Sequence, residues 1–232
     1  PRGPELANLP LPMVGLGVLL ALCTGILAGA VNGFLITKLR ITPILATIGT
    51  GQVFTGICLV LTGGPAVVGF PALWGQIGNG TILGIAVPLL VFLAVSALVW
   101  FLLTRTGFGI DLALIGTNAR AAAFAGIRTG RRIFFSYVLT GALAGLAALV
   151  LSARSHAARP DVVQGMELDV IAAVILGGCS LFGGRGYILG TLFGSLIIGT
   201  LNNGLVLLGV SSPMQLVIKG AIIVAAVAFT KR

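Results

Sequence analysis

Residues 41–104 read ITPILATIGTGQVFTGICLVLTGGPAVVGFPALWGQIGNGTILGIAVPLLVFLAVSALVWFLLT, and no charged residue interrupts the chain between Arg40 and Arg105. A helix needs only about 20 apolar residues to cross a hydrocarbon core ~30 Å thick, so this run reads as two crossings, 44–62 and 82–103. Gly63-Gly64-Pro65 breaks the first of them. The Gly- and Pro-rich stretch 63–80, with Trp74 at an interface-like place, reads as an external loop with room for a short re-entrant piece. Trp100 and Arg105 mark the exit of the second.

The pattern continues on both sides. Upstream, no charge falls between Glu5 and Lys38, which places a span at 11–36. Downstream, the stretch 105–132 carries five Arg and a single Asp111. A span at 133–153 follows, then a mixed-charge loop with Arg154, His156, Arg159, Asp161, Glu167 and Asp169. Residues 170–182 are apolar but short for a full crossing, and they end at Gly183-Gly184-Arg185-Gly186. Spans at 187–208 and 214–230 flank Ser211-Ser212-Pro213. Counting 170–182, there are about seven crossings, and the basic loops then alternate consistently. Lys38 and Arg40, the 105–132 stretch, Arg185, and Lys231 with Arg232 fall on one side. The positive-inside rule makes that side cytoplasmic, with Pro1 and the 154–169 loop outside. The expected fold is all-α, a polytopic transmembrane helical bundle forming one domain over residues 1–232 in the cell (inner or plasma) membrane.

Composition agrees. Hydrophobic residues make up 57% of the chain and charged residues 8%, and the mean hydropathy is +1.14. Soluble domains carry roughly 25% charged residues, so this chain cannot clothe a water-facing surface. Lys and Arg total 14 against 5 Asp and Glu, a net charge of +9. In a soluble protein that excess would suggest nucleic acid. Here the basic residues sit in short loops between spans, and no nucleic-acid partner is expected. Cys23, Cys58, Cys179 and His156 lie too far apart in sequence to match a metal-site spacing, and the cysteines read as small packing residues. The chain opens on Pro1 with no basic segment before the first span, which suggests no signal peptide. An outside start leads us to expect that earlier helices precede this segment.

Glycine recurs 35 times. Gly25, Gly29 and Gly33 repeat every four residues, as do Gly141 with Gly145 and Gly190 with Gly194. That spacing lets helix backbones approach closely in lipid.

Catalytic chemistry is not legible. No Gly-x-Ser-x-Gly surrounds Ser195 or Ser211. The run Gly177-Gly178-Cys179-Ser180-Leu181-Phe182-Gly183-Gly184 lacks the Lys that a phosphate loop would need at position 184. No ATP hydrolysis, catalytic residue, metal or cofactor is therefore expected of the chain itself. A proton-coupled carrier would usually hold a carboxylate or His near the bilayer centre. Asp111, Asp161, Glu167 and Asp169 read instead as loop or span-end residues. Arg128-Thr129-Gly130-Arg131-Arg132 is faintly similar to a major-facilitator loop, but Ile127 stands where that loop has Asp. Lys219 is the one charge inside a span; it can snorkel toward the outer interface or line a watery cavity. Asn32, Asn202 and Asn203 are polar groups in apolar surroundings. Asn32 reads as a helix-to-helix bond, whereas Asn202 and Asn203 fit either such a bond or a solute path.

The stretch Gly116-Thr117-Asn118-Ala119-Arg120-Ala121-Ala122-Ala123-Phe124-Ala125-Gly126-Ile127 resembles the G-x-N-x-x-A-A-x-x-S/A-G-I loop of ribose-type ABC transporter permeases. The likeness continues through Glu167-Leu168-Asp169-Val170-Ile171-Ala172-Ala173, the 177–186 glycine run, and Asn202-Asn203-Gly204-Leu205 to Ser212. It covers roughly residues 13–230. The resemblance implies a subunit of a type II ABC importer with about ten helices, hence longer than this chain. It implies a second permease subunit, identical or different, a cytoplasmic ABC ATPase, and an extracytoplasmic sugar-binding protein, all working in membrane lipid. Gly116, Asn118, Ala121, Ala122, Gly126 and Ile127 would form the loop that couples to the ATPase. Physical chemistry supports a short helix there: alanines favour it, Asn118 can cap its start and Gly126 its end. Asn202, Asn203 and Lys219 are the candidate substrate pathway. Two departures stand out: Ile110 follows Thr106-Gly107-Phe108-Gly109 where such permeases have Arg, and Cys179 replaces a Thr. Branched-chain amino-acid permeases share the fold, but Asn202-Asn203-Gly204-Leu205 with Gly209-Val210-Ser211-Ser212 points to carbohydrate. A secondary carrier or a passive channel for a small polar solute is the other alternative.

Overall fold

The computed structural model describes residues 11–64, 66–160, 162–180 and 183–230, with side chains described except at 11–13, 72–73, 212 and 223–230. The readings above at Pro1, Glu5, Pro65, Asp161, Leu181, Phe182, Lys231 and Arg232 lie outside the described residues. In chain order the elements are α1 (Leu11–Thr37), α2 (Pro43–Thr62), β1 (Val67–Val68), α3 (Ala72–Asn79), β2 (Thr81–Ile82), β3 (Ile85–Ala86) and α4 (Val87–Arg105). Then follow α5 (Gly107–Thr117), α6 (Ala119–Phe124), α7 (Thr129–Ser155), β4 (Ala157–Ala158), α8 (Met166–Leu176), α9 (Ile188–Leu207) and α10 (Ser212–Thr230).

Among the described residues, five helices are long and apolar enough to cross a membrane: α1, α2, α4, α7 and α9. They are apolar on many faces, with Leu16, Leu27, Val60, Leu61, Leu93 and Phe193 all exposed. An amphipathic surface helix would confine such side chains to one stripe. Lipid removes that requirement. The expected all-α membrane bundle is what the chain forms, and its four β elements are two-residue pairings in loops.

The residues group into two compact units, 1–95 with 128–162 and 96–127 with 163–232. In the first, α1 and α7 meet through glycines. A Cβ on Gly25 would stand 2.5 Å from the carbonyl oxygen of Gly141, and one on Gly145 would stand 3.0 Å from that of Ala21. Gly29 meets the Tyr137 carbonyl in the same way. The four-residue spacing is thus a backbone-to-backbone seam, whose cohesion in lipid comes from van der Waals contact. Asn32 bonds between helices, its Oδ1 accepting from Thr50 Oγ1 on α2 at 2.6 Å.

The 63–80 segment is bound to the C-terminal end of α7. Trp74 is buried with Leu149 and Ala153, stacks on Phe70 with ring centroids 5.7 Å apart, and donates from Nε1 to Ser152 Oγ at 3.3 Å. Its place is protein packing. β1 pairs antiparallel with β4, Val67 opposite Ala158 and Val68 opposite Ala157. Cys23 and Cys58 are exposed free thiols, so they do not pack a core.

In the second unit, α8 and α9 share a core of Ala172, Ala173 and Ile198. Gly177 meets Gly190, and Gly194 meets the carbonyl of Ala173, with no room for a Cβ. Among the described residues of the apolar 170–182 run, the helical ones belong to Met166–Leu176, which has 11 residues. At 1.5 Å per residue such a helix rises roughly 16 Å, about half the hydrocarbon core. Gly178, at φ 81°, ends it: its N–H bonds to the Ile175 carbonyl at 2.9 Å and that of Cys179 to Val174 at 3.2 Å. This is a Schellman closure, in which a left-handed glycine satisfies carbonyls that a helix end leaves open.

Candidate functional site

Two groups of residues in the second unit carry polar or surface chemistry. The first is the loop around α6. Asn118 Oδ1 accepts from the backbone N–H of Arg120 and of Ala121, both at 3.0 Å. That satisfies two of the four N–H groups a helix start leaves unpaired. At the other end Gly126 takes φ 85°. Its N–H bonds to Ala123 at 3.0 Å, and that of Ile127 to Ala122 at 3.1 Å. The closure is the same as at the end of α8. A six-residue helix has too few internal bonds to persist alone, so the two caps define it.

Ala122 is buried and Ile127 half-buried, and they hold the helix down, while Ala121, Ala123, Ala125 and Gly126 are exposed. Phe124 is 94% exposed. Its ring therefore buries almost no area within this chain. The sequence reading passed over it, although an aromatic among alanines was the available signal. Gly116, in the last turn of α5, has a structural task. A Cβ there would stand 2.5 Å from Gly184 N, and one on Gly183 would stand 2.7 Å from Gly116 O. The chain that leads into α6 therefore rests directly on the chain between α8 and α9.

The second group joins α8, α9 and α10. Lys219 Nζ lies 2.9 Å from Asp169 Oδ2. The same oxygen accepts from Asn202 Nδ2 at 3.0 Å. The side chains of Lys219 and Asp169 are only 21% and 17% exposed. Neither reading of Lys219 from sequence included this partner. Of the loop and span-end places read for Asp169, the structure gives the second: it sits in the first turn of α8, where the helix dipole favours a carboxylate. Asn202 Oδ1 is buried without a hydrogen-bond partner, and Asn203 is exposed. The structure thus brings Asn202 and Lys219 together through a residue missed in the sequence reading, and leaves Asn203 apart from them. The group holds one ammonium with further N–H donors, one carboxylate and one vacant amide oxygen. It can exchange hydrogen bonds with a hydroxylated solute.

Cys179 stands where a Thr was expected, and it keeps a polar role. Its Sγ accepts from the Tyr187 N–H at 3.3 Å and lies 3.3 Å from Thr191 Oγ1. Among the described residues, no three His, Cys, Asp or Glu side chains gather as they would around a metal.

Residues 6–227 match the family described as branched-chain amino acid transport system / permease component. The ribose import permease protein RbsC of Bacillus subtilis (strain 168) is 47% identical over 203 residues, covering 87% of this chain and 63% of that relative. The D-allose transport system permease protein AlsC of Escherichia coli (strain K12) is 39% identical over 203 residues, covering 88% of this chain and 62% of its own length. The ribose import permease protein RbsC of Haemophilus influenzae is 37% identical over 227 residues, with coverages of 96% and 70%. The chain therefore spans less than two thirds of the first two relatives. No solved structure gives a significant match.

Proposed function

The chain belongs to the branched-chain amino acid transport system / permease component family, and from that premise we propose that it is the membrane-spanning subunit of an ATP-driven importer of a sugar. In this reading it works with a second permease subunit, a cytoplasmic ABC ATPase, and an extracytoplasmic binding protein that delivers the sugar. Carbohydrate is favoured over a branched-chain amino acid because the relatives above are named for ribose and allose. The apolar, multi-pass character of the chain makes it a component of the cell membrane.

The observation that carries the reading is α6: a helix capped at both ends that presents small residues and a bare Phe124. Small side chains let its backbone seat closely in a groove, and Phe124 supplies apolar area that only a partner would bury. Gly116, Asn118, Ala121, Ala122, Gly126 and Ile127 shape and support this surface. Asn202 and Lys219 line the pathway in the same proposal, while Asn203, exposed on the next position of α9, stands apart from their shared contact with Asp169. Asn202 Oδ1 is buried and unpartnered, so in this proposal it accepts from a sugar hydroxyl only when the helices shift to expose it. Such a bond is weak enough for the solute to leave again, as transport requires.

The test pairs Gly126→Val with Phe124→Ala. Space is open around Gly126, so the valine meets no neighbour, but at φ 85° it strains the backbone by about 1 kcal/mol or more. Phe124→Ala removes the anchor without strain. Both variants should reach the membrane at normal abundance and lose co-purifying ATPase together with ATP-dependent uptake. Normal ATPase recovery and uptake in both would refute docking through α6. Uptake driven by a pH step, with no ATPase present, would refute the importer class.

A further inference from the structure

A cavity of about 500 Å³ lies between the C-terminal end of α1 and the first turns of α7, lined by Phe34, Thr37, Lys38, Gly130, Arg131, Phe134 and Phe135. Its size falls within the range of about 300–1,000 Å³ common to small-molecule sites. Lys38 and Arg131 contribute two cations, and neither makes an ion pair with a described residue. Phe34 and Phe135 are exposed beside them. The positive-inside rule sets this end of both helices at the cytoplasmic face, where one leaflet passes from acyl chains to headgroups. We propose that the cavity binds an anionic phospholipid, its phosphate held by Arg131 and Lys38 and its glycerol and upper acyl region against the three phenylalanines.

Three observations favour this occupant. A guanidinium presents paired N–H donors that match phosphate oxygens. Basic pockets between helices at the cytoplasmic leaflet suit anionic headgroups, whereas a soluble anion would leave the aromatic wall unused. A second copy of this chain is a poor alternative, because it carries net charge +9 and only 5 acidic residues. Gly130 helps by leaving the space beside it open. The α1–α7 glycine seam brings the two cations together, so the site depends on that packing.

The experiment reconstitutes the full-length chain into nanodiscs of equal parts phosphatidylglycerol and phosphatidylcholine, then counts retained lipids by native mass spectrometry. Wild type should retain phosphatidylglycerol preferentially. The variant Lys38→Gln/Arg131→Gln should lose roughly 30-fold in that preference, the combined worth of two basic residues at a membrane surface. Lys38→Arg/Arg131→Lys should keep it. Gly130→Trp fills the cavity while leaving both charges in place, and it should also lose the bound lipid. Equal retention of the two lipids by wild type would overturn the proposal, and so would undiminished preference in Gly130→Trp, which would mean a diffuse surface charge effect. Inorganic phosphate competing away the lipid at millimolar concentration would overturn it as well, since a soluble anion would then suffice.

Discussion

Lys219→Met keeps the length and apolar stem of the side chain and deletes its charge. Asp169 would then hold a carboxylate, 17% exposed, with Asn202 Nδ2 as its remaining side-chain donor among the described residues. Removing one partner of a buried ion pair costs about 3–5 kcal/mol, most of it from the charge left behind. The lower figure applies here, because Asp169 keeps some solvent and its place at the start of α8. At about 2–4 °C per kcal/mol for a chain of this size, Lys219→Met should melt roughly 6–12 °C below wild type. Asp169→Asn alone should also destabilise, by stranding the ammonium. The double variant removes both charges and leaves an amide oxygen for Asn202, so it should recover most of the loss. Replacing both members of such a pair is often close to neutral. Thermal melting of the detergent-purified proteins, followed by size-exclusion recovery, reads all four. A single variant as stable as wild type would refute the ion pair, as would a double variant no better than Lys219→Met. Uptake adds a separate readout: a double variant that is stable but inactive would place these groups in the solute path.

Asn118→Ala removes the acceptor shared by Arg120 and Ala121. It should weaken the start of α6 by about 1 kcal/mol and speed hydrogen exchange of those amides roughly five-fold. Unchanged exchange there would refute the cap. Gly29→Leu drives a side chain into the Tyr137 carbonyl and should sharply lower the folded protein recovered from membranes. Gly49→Leu, on α2 with nothing within 4 Å, should be recovered normally, and equal recovery of the two would refute the seam.

Local rules carried the sequence reading a long way. Charge-free runs located the five long apolar helices because a bilayer leaves no other home for them. The four-residue glycine spacing marked the close-packing faces of α1 and α7, though not their pairing, because a helix repeats its face at nearly that interval. Asn118 and Gly126 were legible as caps because capping is a matter of three or four consecutive residues. What escaped was non-local. Gly116 against Gly183 and Gly184 joins positions far apart in the chain, and no local pattern announces it. Trp74 read as an interface residue because its partner Ser152 lies on another helix.

Asp169 escaped for a different reason, although the composition of the chain points to it. It ends a charged loop, beside Glu167, where a carboxylate ordinarily meets water. Yet an ionised lysine well inside an apolar span needs either a route to water or a counter-charge, since hydrocarbon solvates neither charge nor unpaired N–H. The chain offers only 5 acidic residues, and Asp111 belongs to the basic stretch on the opposite face. Glu5 lies before the first span, far from α10 in sequence, and the remaining external-side choices are Asp161, Glu167 and Asp169. Of these, Asp169 is deepest along the following apolar run, and a helix that begins at Met166 turns it inward within its first turn. Asn202, near the end of α9, then meets the same oxygen. A lone buried cation is thus a statement about another residue, and with so few carboxylates in the chain the search for it is short.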